Sequence, residues 1–122
     1  MAVATEDALI GLGMPAQLAD LIGSQPKTIA GVGTSQTGAA VLTSQSVELT
    51  TSGGQTAFII PSYVDVNVLV QVVNTSSTAA LVFPPVGGTM NGTLNASFSV
   101  AQYKPCFVWQ YKKGFWTALL SN

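Results

Sequence analysis

The sequence has 122 residues, 48% of them hydrophobic and only 7% charged, with four Lys, no Arg, five Asp or Glu and no His. Soluble domains usually carry about 25% charged residues, so Ser, Thr, Gln, Asn and Gly here occupy positions that charges would otherwise take. A net charge of −1 without clustered basic residues argues against nucleic acid, and one Cys without His leaves neither an activated nucleophile nor a zinc ligand set.

In chain order, the first residues lack the basic start and apolar core of a secretion signal. No run reaches the roughly 18 to 20 apolar residues of a membrane span. The expectation is a chain made and folded in a cytoplasm. Thr5 can cap a short helix whose first turn carries Glu6 and Asp7 at the positive dipole end. Leu9, Ile10 and Leu12 follow, Gly11 and Gly13 weaken that helix, and Pro15 ends it. Pro15 also suits the start of a second short helix, with Leu18, Leu21 and Ile22 on one stripe and Gly23 as its stop. Two-turn helices do not persist alone in water, so residues 1–24 read as a helical segment that needs a surface to dock on.

Residues 25–38 read as a linker or extended arm. Gly31, Gly33 and Gly38 resemble a phosphate loop only superficially, because the Lys-Ser/Thr ending is missing. From residue 39 the pattern is β, with strands expected near 39–43, 46–50, 56–60, 66–73, 79–83, 97–101, 105–111 and 115–120. Val66, Val68, Val70 and Val72 alternate and predict one buried face. Pro84-Pro85 stops a strand, and Gly87-Gly88 and Asn91-Gly92 follow as a sharp reversal. Tyr111-Lys112-Lys113-Gly114-Phe115 reads as a tight hairpin. Short strands at regular spacing predict a mainly β protein, an antiparallel β-sandwich or jelly-roll-like domain over 39–122 preceded by the N-terminal helical segment.

Cys106 lies in an apolar run and reads as a small buried hydrophobe. Trp109, Trp116, Tyr103, Tyr111 and Phe115 gather near the C-terminus. On strands such residues read first as core and cross-strand packing, and second as a stacking platform for a glycan. Three of the acids, Glu6, Asp7 and Asp20, fall in the helical segment, which leaves Glu48 and Asp65 in the β region as a poor basis for a glycosidase. The residues predict no catalytic site, no metal and no cofactor.

The order of these features resembles the small structural proteins of tailed-bacteriophage virions, the head-decoration (cement) proteins and head-fibre β-domains. The stretches that carry the resemblance are Glu6 to Pro15, Val73 to Ser76, Leu81 to Gly92, Asn95 to Val100, Lys104-Pro105 and Trp116 to Leu120. The resemblance implies a non-enzymatic virion protein that forms a homotrimer on the outer surface of the capsid, after synthesis in the bacterial host cytoplasm. Its partners would be the major capsid protein and copies of itself, with neither nucleic acid nor membrane involved. Leu9, Ile10, Leu12, Met14, Leu18, Leu21 and Ile22 become the candidate capsid-anchoring residues. The alternative is a head- or tail-fibre domain that binds a host receptor or glycan.

Overall fold

Short apolar-alternating segments separated by Gly, Pro and Asn dictate a chain of brief strands. The computed structural model describes residues 26–120, and these are mainly β. Six strands come first: β1 (Lys27–Ala30), β2 (Ala40–Val41), β3 (Ser46–Thr50), β4 (Ala57–Ile59), β5 (Val70–Asn74) and β6 (Ala80–Phe83). Five more follow: β7 (Thr89–Met90), β8 (Thr93–Leu94), β9 (Phe98–Val100), β10 (Cys106–Lys112) and β11 (Phe115–Leu120). They form a seven-stranded sheet in the order β1-β3-β5-β10-β11-β7-β8 and a four-stranded sheet in the order β2-β4-β6-β9.

The first six strands alternate between the sheets. β1, β3 and β5 lie parallel in the larger sheet, and β2, β4 and β6 lie parallel in the smaller one. Parallel neighbours need a long crossover, and here the crossover contains the intervening strand of the opposite sheet. Lys27, Val47 and Val72 stand side by side on successive turns, as do Ala40, Phe58 and Val82. The result is a three-turn, solenoid-like stack whose repeat of roughly 20 to 25 residues is normal for such architectures.

The chain then reverses. β9 runs antiparallel to β6, and β10 runs antiparallel to β5, so both sheets receive an antiparallel strand at the same end of the stack. β10 and β11 form the hairpin expected around Lys113, with a register shift between Gln110 and Lys112. Asn91 (φ 50°) and Gly92 (φ 89°) sit between the paired strands β7 and β8. Two consecutive left-handed residues are what a two-residue hairpin requires.

The expected all-antiparallel pairing is corrected. Five strand pairs among the described residues are parallel, and four are antiparallel. The physical reason lies in the turns. Ser52 and Gln55 close a tight reversal that resembles a hairpin locally, yet it carries the chain from β3 in one sheet to β4 in the other. The helices expected within 6–23 lie outside the described residues. In the stretch read as a linker or arm, residues 27–30 form β1. The alternating run from Val66 becomes regular strand only at Val70, because Asn67 turns left-handed at φ 68°.

One hydrophobic cluster draws on both sheets. Val47, Leu49, Val70, Val72, Cys106, Val108 and Trp116 come from the larger sheet, and Phe58, Ala80, Val82, Phe98 and Val100 from the smaller. Each large side chain buried in this way contributes roughly 1.5–3 kcal/mol. Asn74 is fully buried at the end of β5, and its Nδ2 donates to the carbonyls of Thr78 and of Val100 in β9, both at 2.9 Å. Its Oδ1 accepts from the Ser76 amide at 2.9 Å. One side chain therefore ties the larger sheet to the smaller. Towards the other end of the larger sheet, Gln110 of β10 donates to the Val64 carbonyl at 3.0 Å and accepts from the Gly114 amide at 2.6 Å, tying a loop and the hairpin turn to the sheet.

Candidate interaction surface

Strand alternation that buries one set of residues presents the other set outward. With Val108 and Trp116 in the core, Phe107, Trp109 and Tyr111 of β10 and Phe115, Thr117 and Leu119 of β11 face away from it. Phe107 stands between Gln71 of β5 and Leu119 of β11, and Trp109 stands opposite Thr117. Leu119 is 61% exposed, Tyr111 50%, and Phe107 and Phe115 37% each. Leu69, just before β5, adds another exposed apolar side chain.

The rings at one end of this ridge are organised. The centroids of Tyr111 and Phe115 are 6.2 Å apart with planes tilted by 43°. The Lys112 ammonium lies 5.2 Å from the centre of the Phe115 ring, a contact worth about 0.5–1 kcal/mol where solvent reaches it. At the far side of the same sheet, Thr28 and Thr75 donate their hydroxyls to the two carboxylate oxygens of Glu48, at 3.1 and 2.8 Å. The face therefore grades from polar over β1 and β3 to aromatic over β10 and β11. A hollow of about 220 Å³ marks the boundary, bordered by Ser46, Gln71, Val73, Pro105 and Phe107.

A second apolar area lies on the smaller sheet. Val41, Ile59 and Phe83 stand in one row across β2, β4 and β6. Beyond Val41 and Ile59 opens a groove of about 400 Å³, walled by Pro61, Tyr63, Pro85 and Val86. Val86, 74% exposed, separates this groove from a hollow of about 300 Å³ that reaches Gln110, Lys113 and Trp116. Gln36 helps to hold that loop, donating its Nε2 to the Pro84 carbonyl at 2.8 Å and to Asn95 Oδ1 at 3.3 Å. Asn95 Oδ1 also accepts from the Gly87 amide at 2.7 Å.

The chain matches no protein-family model, no curated protein and no solved structure. Function must therefore be argued from these surfaces.

The residues expected from sequence are distributed unevenly. Leu9, Ile10, Leu12, Met14, Leu18, Leu21 and Ile22 lie outside the described residues. Of the C-terminal aromatics, Trp116 is in the core, Trp109 is half-buried, and Tyr111 and Phe115 are on the ridge. Tyr103 stands apart from the β10–β11 strands, 67% exposed in a turn at φ 57°. Glu48 lies in β3 and Asp65 in the segment between β4 and β5, where its carboxylate accepts from the Val66 amide at 2.8 Å. Among the described residues, no three His, Cys, Asp or Glu side chains group as metal ligands would, and no helix is long and apolar enough to cross a membrane. Cys106 is 1% exposed, and burial pushes its thiol up to about 12. Sequence reasoning missed the exposure of Leu119, Val86, Val41 and Leu69. For Leu119 a signal existed: once Trp116 is placed inside, alternation sends residue 119 outward.

Proposed function

We propose that this chain is a non-enzymatic structural protein of a tailed-bacteriophage virion, a decoration or cement protein that stabilises the head. In this reading the part expected over 39–122, joined by β1, acts as a sandwich-like body. Three copies associate on the outer surface of the capsid, and residues 1–24 anchor each copy to the major capsid protein. The observation that carries the reading is the exposed apolar surface of β10 and β11, where four large hydrophobic side chains stand out and the Lys112 ammonium lies over one of them, Phe115. Exposed apolar patches of this kind mark association sites, and low charge suits lasting contact, since interface cores are depleted in charged residues. Several copies gripping one shell also turn modest single contacts into strong attachment.

The experiment is co-sedimentation of the purified protein with empty expanded capsids that lack it. The full chain should bind. A chain lacking residues 1–24 should retain its β circular-dichroism signal and lose capsid binding. Unchanged binding by the shortened chain would move the anchor to the β body, and no binding by either chain would overturn the cement reading. The neighbouring Tyr111 and Phe115 rings favour one alternative, a fibre domain that stacks on a host glycan. Binding to host cells or a glycan array, lost in Tyr111→Ala and absent towards capsids, would establish that alternative.

A further inference from the structure

We infer that Asn91 is a site of spontaneous deamidation in this chain, and that the hold of β11 on its side chain sets the rate. The inference is independent of the virion reading. Four asparagines lie among the described residues, Asn67, Asn74, Asn91 and Asn95, and they precede Val, Thr, Gly and Ala in turn. Of these, Asn91 alone is followed by a residue with no side chain to obstruct attack by its amide nitrogen. Asn91 and Gly92 are both exposed, at the centre of the β7–β8 turn, where water and hydroxide reach them. The reaction needs no co-reactant but water. The Gly92 amide nitrogen gives up its proton and bonds to Asn91 Cγ. The Cγ–Nδ2 bond breaks, and the side-chain nitrogen takes a proton from solvent and leaves as ammonia. Water then opens the resulting succinimide at either carbonyl, which leaves Asp or isoaspartate.

The geometry of the turn holds this reaction back. β7 lies between β11 on one side and β8 on the other. Towards β11, the Asn91 amide donates to the Trp116 carbonyl at 3.0 Å. Asn91 Oδ1 accepts from the Ala118 amide at 3.1 Å and from the Thr117 hydroxyl at 3.0 Å. In a parallel ladder the amide and carbonyl of one residue engage two residues that flank its neighbour on the next strand. The Asn91 side chain thus takes the place of its own main-chain carbonyl and continues the β7–β11 pairing by one residue. The main chain departs in the opposite direction, left-handed at φ 50° and then 89°, to enter β8. Cyclisation requires Cγ to come within about 3–3.5 Å of the Gly92 nitrogen, whereas donors fixed in β11 keep it on the β11 side. The reaction therefore waits for the side chain to leave β11. The Asp product retains an acceptor for both donors. Isoaspartate adds a main-chain atom to a turn whose two-residue length sets the hairpin register, so that product no longer fits between β7 and β8.

The test is incubation of the full-length protein at pH 8.5, with fragmentation mass spectrometry to locate the mass gain of an amide that has become an acid. Unfolded in guanidinium chloride, the chain should modify at Asn91 before the other asparagines. Folded, it should do so slower by roughly tenfold or more, the combined worth of two hydrogen bonds. Thr117→Val removes one donor and keeps a branched strand residue, so its circular-dichroism spectrum should match the wild type. Its rate at Asn91 should rise about twofold to tenfold, the worth of one hydrogen bond. Thr117→Ser, which restores the hydroxyl, should return the wild-type rate. Gly31→Ala strains the opposite end of the stack and separates local release from global unfolding. It should leave the rate at Asn91 close to that of the wild type. Equal rates in the folded and unfolded chain, or first modification of the unfolded chain at another asparagine, would overturn the inference. So would an Asn91 that stays intact in both the folded wild type and Thr117→Val, or a Gly31→Ala acceleration as large as that of Thr117→Val. A Thr117→Val rate below the wild type would mean that the two donors polarise the carbonyl for attack, the reverse of the role assigned to them.

Discussion

Gly31 sits where β1 ends, and its amide donates to the Thr50 carbonyl at 2.9 Å. A Cβ at this position would lie 2.6 Å from the Gln55 carbonyl oxygen and 3.1 Å from the Thr56 carbonyl carbon. Both are backbone atoms, so relief requires the β3–β4 turn to move. Gly31→Ala should therefore destabilise the fold by about 1–3 kcal/mol, the usual cost of overpacking, read as a lower urea midpoint at unchanged slope. Cys106 makes a different prediction. Its thiol is raised from 9.0 to about 12 by burial, so above pH 9 the unfolded chain loses a proton that the folded chain retains. The stability from this group is complete below pH 9 and declines as pH rises towards 12. Urea denaturation at pH 8, 9 and 10 should show this decline in the wild type and a smaller one in Cys106→Ala; equal declines would contradict the assignment. The native thiol should also resist iodoacetamide at pH 8.5 and react once the chain is unfolded.

At the scale of elements, Asn74 is the test of how the sheets are joined. Replacing it with Ala removes three hydrogen bonds in the interior and leaves the Val100 carbonyl without its Asn74 donor. The expected loss is about 2–3 kcal/mol, and amide exchange should quicken in β9 as well as β5. Exchange that changes in β5 alone would mean that the link is unimportant. The readable elements were those whose signal is local. Tyr111 to Phe115 specifies a hairpin through its own residues, and Asn91-Gly92 specifies a two-residue turn by the same means. The pairing of β1, β3 and β5 is not local. Ser52-Gly53-Gly54-Gln55 has the composition of a hairpin turn, and nothing within it says that the next strand belongs to the opposite sheet. Lys27 to Ala30 is only four residues long and half-exposed, so its strand character depends on the neighbouring β3. The candidate surface was legible in part: the aromatics stood out by type, but which of them face outward depends on which residues the smaller sheet covers.

For the whole molecule, the difference between the two ends of the stack has a consequence for length. β9 and β10 run against the turns and close one end, whereas β1 and β2 stand last in their sheets among the described residues at the other. Parallel turns are interchangeable in a way that hairpins in a closed sheet are not, because each contacts only its neighbours. Duplicating one turn within the stack would raise the body by one inter-strand spacing, about 4.8 Å, and would leave the closing strands and the β10–β11 ridge unaltered. Such a duplication would change the height of the body in single strand widths and leave the outward face of β10 and β11 where it is.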